Sequence, residues 1–378
     1  MKDINSDIKA EASRLGFLFS GITLPLQPLH YSHYLKWLRF GFNASMGYMA
    51  TERATSYRNN PLLILPQCKT IISFAYPYPS ALAFDSSTNT TAVGRVASYA
   101  WIEDYHITIH KLFSQLITVI ERLVGRSIQY RIYTDTGALL ERDYALSAGL
   151  GWIGRNTCLI TKQSGSFVFL SEILLDVEIQ PDNPISGSYC GNCRRCIEIC
   201  PTQCLTQDFL IDANRCLSYL TIENKGPVPR EVRPSLSNWI FGCDLCQIVC
   251  PWNIHIIPNN PLENHKIRVD WMYPTLITDL LLTQQGFKTK FMNSAIQRAT
   301  RKGYLRNIAI ALGNMQDSSS IKYLDQVLSE EPEPLVRSHS AWALGKIATK
   351  SARLILIRHL LSETHPNVQD EIKAALDN

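Results

Sequence analysis

No run of about 18 apolar residues occurs anywhere in the chain, so it has no stretch able to span a membrane as a helix. The opening residues, MKDINSDIKAEASRLGF, are polar and contain acids. They lack the apolar core of a secretory signal, and a cytoplasmic protein with no membrane contact is expected. Net charge is small: 37 basic against 33 acidic residues leaves +4. That mild excess says little by itself, and its distribution along the chain matters more. No GxGxxG follows a strand. The glycines of GLGWIG (Gly149, Gly151, Gly154) come after the helical stretch LLERDYALSA, so NAD binding is unsupported. Disorder is excluded by 46% hydrophobic residues over 378 positions, enough for two or three packed domains.

Cysteine, by contrast, is abundant. Nine of the eleven cysteines lie between residues 190 and 250, most of them in tight CxxC-type runs. A reducing compartment and that spacing argue against disulfides and for metal or cluster ligands. Residues 190–201 read CGNCRRCIEICP, the run of two-cluster ferredoxins in which three cysteines hold one cluster and the fourth crosses to the other. Zinc would call for two separated CxxC pairs. The second run, CDLCQIVCP at 243–251, is one ligand short, because Ile240 stands where a cysteine is due. Cys216 is the natural replacement. The crossed pattern then gives Cys190, Cys193, Cys196 and Cys250 to one 4Fe–4S cluster, and Cys200, Cys216, Cys243 and Cys246 to the other. Cys204 is left over as a small buried residue. Cys68 and Cys158 are expected to be structural or to line a pocket.

A chain with only such a segment would be an electron shuttle. The long stretches on either side imply an electron acceptor within the same chain. In residues 1–180, KDINSDIKAEASRLG, 33–50 and 104–126 have helical character, while GFLFSGIT, 70–78 and 166–179 read as strands. Their alternation predicts an α/β domain. Within YTDTGALLERDYALSAGLGWIGRNTCLI (133–160), Asp135 sits in a polar turn before a charged helix start, a position where Asp is often a cap. The three glycines that follow allow close approach to a flat ligand, or simply close packing. Glu141 and Arg142 are open to a plain surface pairing.

After the Pro/Asn-rich connector IHIIPNNPLENHK, the segment 285–316 carries Lys288, Lys290, Arg298, Arg301, Lys302 and Arg306 and no acid. Pro334 and Pro366, and likewise Ala311-Leu312-Gly313 and Ala343-Leu344-Gly345, recur 32 residues apart. That period marks a helical-pair repeat of the HEAT type, here about two and a half repeats that should stack on the rest of the chain. The basic leading segment suits an RNA backbone, with a protein partner as the alternative.

Taken in order, MGYMA, SYAWIEDYH, DTGALLERDYALSAGLGWIGRNT, CGNCRRCIEICPT, CLSYLTIENKG and FGCDLCQIVCPWN resemble the epoxyqueuosine reductase family over residues 47 to about 253. The resemblance implies a cobalamin-dependent iron–sulfur oxidoreductase. Its reaction converts epoxyqueuosine to queuosine at the tRNA wobble position. It implies a cobalamin-binding catalytic domain over 1–180, a ferredoxin-like domain with two 4Fe–4S clusters over 181–260, and a linker with HEAT-like tRNA-binding repeats over 261–378. Opening an epoxide needs a nucleophile at carbon and a proton for the oxygen; reduced cobalamin supplies the first, and Asp135 is implied as the second. Arg58, Asp135, Thr157, Cys158, Ser218 and Thr221 are expected to contact the corrin. Asp104-Tyr105-His106-Ile107-Thr108-Ile109 lacks the glycine of a DxHxxG cobalt-ligand motif, so no histidine lower ligand is expected. The implied partners are tRNA carrying epoxyqueuosine in its anticodon stem-loop and an external electron donor such as flavodoxin or ferredoxin, with the chain a monomer. A dehalogenase-like corrinoid reductase acting on a small molecule is the alternative.

Overall fold

The computed structural model describes residues 4–83, 92–206, 209–254 and 266–377. The connector, and with it the expected boundary at 260/261, lies almost wholly outside the described residues. The chain divides into two compact units, Met1–Ala83 with Glu103–Asn214 and Leu245–Lys266, and Phe84–Ile102 with Arg215–Asp244 and Ile267–Asn378. It weaves between them. Helix α1 (Ile4–Arg14), strand β1 (Phe19–Thr23), α2 (Tyr31–Arg39), α3 (Glu52–Asn59) and β2 (Thr70–Pro77) belong to the first unit, and β3 (Arg95–Val96) to the second. The first unit resumes with α4 (Tyr105–Val124), β4 (Tyr130–Tyr133), α5 (Glu141–Ser147), β5 (Trp152–Ile153), β6 (Leu159–Ile160), β7 (Val168–Leu175) and α6 (Arg195–Glu198). The second unit holds α7 (Leu217–Ile222) and β8 (Trp239–Phe241); the first takes back α8 (Leu245–Ile248) and α9 (Pro251–Ile254). The rest of the second unit is helical: α10 (Val269–Met272), α11 (Leu276–Leu280), α12 (Gln284–Lys290), α13 (Thr300–Met315), α14 (Ile321–Glu330), α15 (Pro334–Ile347), α16 (Lys350–Ser362) and α17 (Pro366–Leu376).

The first unit is built on a sheet of order β1-β2-β7-β4 in which every pairing is antiparallel. The expected α/β domain is therefore mixed helix and sheet without parallel crossovers. Apolar periodicity reports element type but not strand direction, and β2 pairs with β7 from Thr70↔Leu175 to Pro77↔Val168, far apart in sequence. All eight residues of β2 are buried, as a central strand covered on both faces requires. One face meets Phe17 and Phe113, whose rings lie 5.0 and 5.1 Å from Phe74. Phe113 shares with Ile109, Leu116 and Ile120 the three-and-four spacing that seats α4, and Gly125 ends that helix at φ +75°, as the sequence predicts. The other face of the sheet meets α5. The helix expected over 33–50 stops at Arg39, because Gly41 turns left-handed (φ +66°) and only a short 3-10 turn follows at Gly47–Met49. Strand β4, half exposed and four residues long, had no readable signal.

In the second unit the repeat is present as read: α13, α15 and α17 stack side by side, with Pro334 and Pro366 in the first turns of theirs. The 32-residue glycines mark where these helices touch. A Cβ on Gly313 would lie 2.8 Å from Ala343 Cα, and one on Gly345 would lie 3.0 Å from Ala375 Cα. Four of the six cations of the basic segment are engaged within the unit. Arg306 is fully buried and donates to the carbonyls of Leu220 (2.6 Å), Asn224 (2.8 Å) and Gly226 (2.5 Å). Asn307 beside it donates to the carbonyls of Thr221 and Ile240. Lys290 pairs with Asp279 at 2.6 Å, Arg298 with Glu223 at 2.7 Å and Arg301 with Glu331 at 2.5 Å. The acids lie outside the acid-free segment, so local sequence hides the pairing. Arg298 and Arg306 fasten the repeat to the rest of its unit. Replacing the buried Arg306 by Met strands three carbonyls, that of Leu220 fully buried, and should cost about 3 kcal/mol, whereas Arg298→Met, at an exposed pair, should cost under about 1 kcal/mol. Denaturant unfolding checks this; equal midpoints for the two variants would contradict it.

Candidate functional site

The turn between β4 and α5 carries Asp135 in the left-handed region, at φ +61°, a conformation Asp tolerates better than most residues. Gly137 lets the turn close, since a Cβ there would meet the Tyr133 ring at 2.1 Å. Asp135 is not the cap of α5. Its Oδ2 accepts from the Tyr105 hydroxyl at 2.8 Å, and its own N–H donates to Glu141 Oε1 at 2.6 Å. Burial, and then the charge of Asp135, push the Glu141 carboxyl up to about 8. Beside the turn is a cavity of about 700 Å³ within the first unit, in the range of ligand pockets. Asp135, Glu141, Arg58 and Thr157 line it, with Tyr34 and Trp37 supplying aromatic wall.

Arg58 is 8% exposed. It donates to the carbonyls of Ala54 and Gly137, both at 3.3 Å, and lies over the Tyr34 ring. Its Nε has no partner among the described residues. A buried guanidinium with an unused donor in a cavity wall suits the polar rim of a large ligand. Arg142 does not pair with Glu141; it donates to the Thr157 carbonyl at 2.5 Å and fixes that residue at φ +64°. His30 also lines the cavity, tied through Nδ1 to the buried Asp143 at 2.5 Å, a bond that raises the imidazole above its ordinary value.

The same unit gathers four of the cysteines. Cys196 is pushed up to about 11 by burial and by the adjacent thiols of Cys190, Cys250 and Cys193, and Cys250 is raised by burial and by Cys190 and Cys193. Helices α6 and α8 pack together here, and Trp152, with Trp252 and Tyr189 ring-to-ring at 4.8 and 5.0 Å, walls the group. All four thiols are free. Among the described residues no three ligands close on a single ion, whereas four thiols spread round one space suit a multi-iron cluster. Cys200 and Cys246 also belong to the first unit, Cys216 and Cys243 to the second. Cys204 is buried as expected, yet its sulfur meets that of Cys200 at 3.4 Å, and this contact leads the effects drawing Cys200 down to about 5.

Three families match along the chain: "Epoxyqueuosine reductase QueG, DUF1730" at 58–136, the 4Fe-4S double cluster binding domain at 189–253, and HEAT repeats at 293–377. An epoxyqueuosine reductase of Pseudomonas aeruginosa is 36% identical over 342 residues, 90% of this chain and 93% of the relative. The chain belongs to the epoxyqueuosine reductase family. An epoxyqueuosine reductase of Escherichia coli is 34% identical over 348 residues, 92% of this chain and 90% of its own. A solved epoxyqueuosine reductase bound to an epoxyqueuosine-modified tRNA-Tyr stem loop superposes with TM-score 0.89 at 28% identity, covering 98% of this chain and 97% of that one.

For this family member the structure brings Arg58, Asp135 and Thr157 to one cavity. Cys158 is half buried, does not line the cavity, and turns its sulfur to the Asn156 carbonyl at 3.8 Å. Ser218 and Thr221 lie on α7 in the second unit. Thr221 is fully buried; its hydroxyl donates to the Leu217 carbonyl at 2.7 Å and accepts from the Gly242 N–H at 2.9 Å, a tie within its own unit that leaves no surface for a ligand. The glycines of 149–154 serve the chain itself: a Cβ on Gly151 would lie 2.1 Å from the Ile160 carbonyl oxygen, and Gly149 is at φ +78° against Asn183. Sequence reasoning passed over Tyr105, His30 and Asp143, whose roles come from contacts across the fold. Cys250→Ala should remove the cluster of the first four thiols and lower iron from about eight to about four per chain; undiminished iron would contradict the assignment.

Proposed function

We propose that this epoxyqueuosine reductase converts the epoxide of epoxyqueuosine to the cyclopentene of queuosine in tRNA, with Asp135 donating the proton to the departing oxygen. The observation that carries the reading is Asp135 itself, fixed by Tyr105 and Glu141 at the edge of the Arg58–Thr157 cavity in the unit that also gathers four cluster thiols. Cobalamin, when bound, would supply the nucleophile and the route for electrons. Arg58 and Thr157 would hold it, Arg58 through its unused Nε and Thr157 through the surface that Arg142 orients. No histidine is proposed among the groups that would hold it, since Ile109 stands where a DxHxxG motif has glycine. Cys190, Cys193, Cys196 and Cys250 would hold one 4Fe–4S cluster, and Cys200, Cys216, Cys243 and Cys246 the other. Cys158 and Ser218 remain candidate corrin contacts. Electrons would enter from an external carrier such as flavodoxin or ferredoxin. The substrate partner is the anticodon stem-loop, whose modified base has to leave its stack to be reduced. No described helix is long and apolar enough to cross a membrane.

Asp135→Asn tests this. With clusters and cobalamin restored anaerobically, turnover of a modified stem-loop should fall at least about 100-fold, with corrin binding unchanged in the optical spectrum. Full turnover by the Asp135→Asn protein would remove Asp135 from the chemistry.

A further inference from the structure

The proton path behind Asp135 is written in two carboxyls that the reaction as described does not use. Glu172 stands mid-strand in β7, opposite Ser73 of β2 and Tyr133 of β4. It is 0% exposed, and neither carboxyl oxygen has an aligned hydrogen-bond partner among the described residues. The Ser73 hydroxyl lies close but does not align. Leu170 and Leu174, two residues to either side, pack against residues of α5, so Glu172 faces that helix from the sheet. A buried carboxyl without partners is costly in its charged form and rests as the neutral acid. Glu141 opens α5, borders the cavity, and takes the Asp135 N–H at 2.6 Å. Glu172 and Glu141 act on one another through charge, and Glu141 meets Asp135 directly.

Cations face the series from three elements: Arg58 of α3 and Arg142 of α5 oppose the rise of Glu141 without cancelling it, and His106 of α4, raised chiefly by Asp104, faces Asp135. The other strands packed on α5, namely β1, β2, β5 and β6, bring no charged side chain to it. Adjacent carboxyls in such a place cannot all ionise.

We propose that Glu141 is the proton reserve of the site, passing its carboxyl proton to Asp135 as Asp135 protonates the epoxide oxygen, with Glu172 as the next donor behind it. This rests on Asp135 being the proton donor. In the step, the Asp135 O–H bond breaks and an O–H forms on the substrate oxygen, which keeps the electron pair of the cleaved C–O bond. The Glu141 O–H then breaks as the Asp135 O–H is remade, and solvent protons refill Glu141 and Glu172 between turnovers. Electrons come from the reductant of the established reaction. Burial and Asp135 hold Glu141 up at about 8, and burial and then Glu141 hold Glu172 well above the carboxylate range, so both store protons at neutral pH. A cavity closed over by a large cofactor and an extruded base needs such a store.

Glu141→Gln tests the reserve, because the amide can still accept the Asp135 N–H but has no proton to give. Infrared titration of cobalamin-free protein should show a protonated-carboxyl band lost with a midpoint of about 8 and missing in E141Q. In single-turnover assays at neutral pH, E141Q should form product at least about tenfold more slowly with unchanged stem-loop affinity. The deficit should shrink as pH falls and solvent protonates Asp135 directly, and Glu141→Asp should recover part of the rate. Wild-type rates for E141Q across the pH range would overturn the proposal, as would a Glu141 band titrating near its ordinary 4.5. If the wild-type protein forms no queuosine, the functional reading fails on its own, and the infrared titration decides on the reserve.

Discussion

Four thiols packed together inside a protein need a partner that takes up their charge, and the path of the chain follows from this requirement. Cys190, Cys193 and Cys196 come from one turn, while their fourth companion, Cys250, lies some fifty residues on. Between them the chain leaves the first unit at Arg215, builds α7 and β8 in the second, and returns at Leu245 to deliver Cys250. A ferredoxin fold standing alone would keep such a segment contiguous. Here the excursion contributes to the core of another unit, where Arg306 and Asn307 bind the backbone of Leu220, Thr221, Asn224, Gly226 and Ile240. The stretch between the two cysteine runs is therefore also the backbone that Arg306 and Asn307 of the helical repeat bind.

The proton side is organised by different physics. Electron carriers tolerate an apolar wall such as Trp152, Trp252 and Tyr189, but a proton donor needs directed hydrogen bonds. Tyr105 and Glu141 give Asp135 two of them, one on its carboxyl and one on its backbone, and the left-handed turn is the conformation that lets both form. Carboxyls gathered between a buried sheet and the helix packed on it would be a fault in a structural protein. Near the cavity they set where protons rest.

How much of this was legible in the sequence depended on how local each signal was. The 4Fe–4S run, the missing ligand at Ile240 and the 32-residue repeat are local or periodic patterns, and the family matches fall on those same segments. Asp135 stood out through its polar turn and the resemblance. Strand direction did not, because β2 and β7 carry the same apolar pattern whichever way they pair. The pairing of the basic segment was hidden for a related reason: Asp279, Glu223 and Glu331 meet Lys290, Arg298 and Arg301 from outside its own stretch. Thr221 was read toward a ligand and the glycines of 149–154 toward either a ligand or packing; both serve the chain, since the sequence does not say which backbone approaches them. Glu172 gave no signal in SFVFLSEILL; only the sheet register shows that its carboxyl is buried.

The central claim is that electrons and a proton converge on one cavity through a bound corrinoid. The most direct test takes protein with both clusters restored but no cobalamin, reduces it anaerobically, adds a stem-loop carrying epoxyqueuosine, and measures queuosine by mass spectrometry before and after cobalamin is supplied. No queuosine before the addition and formation after it is the predicted result. Queuosine formed at the same rate without cobalamin would contradict the account.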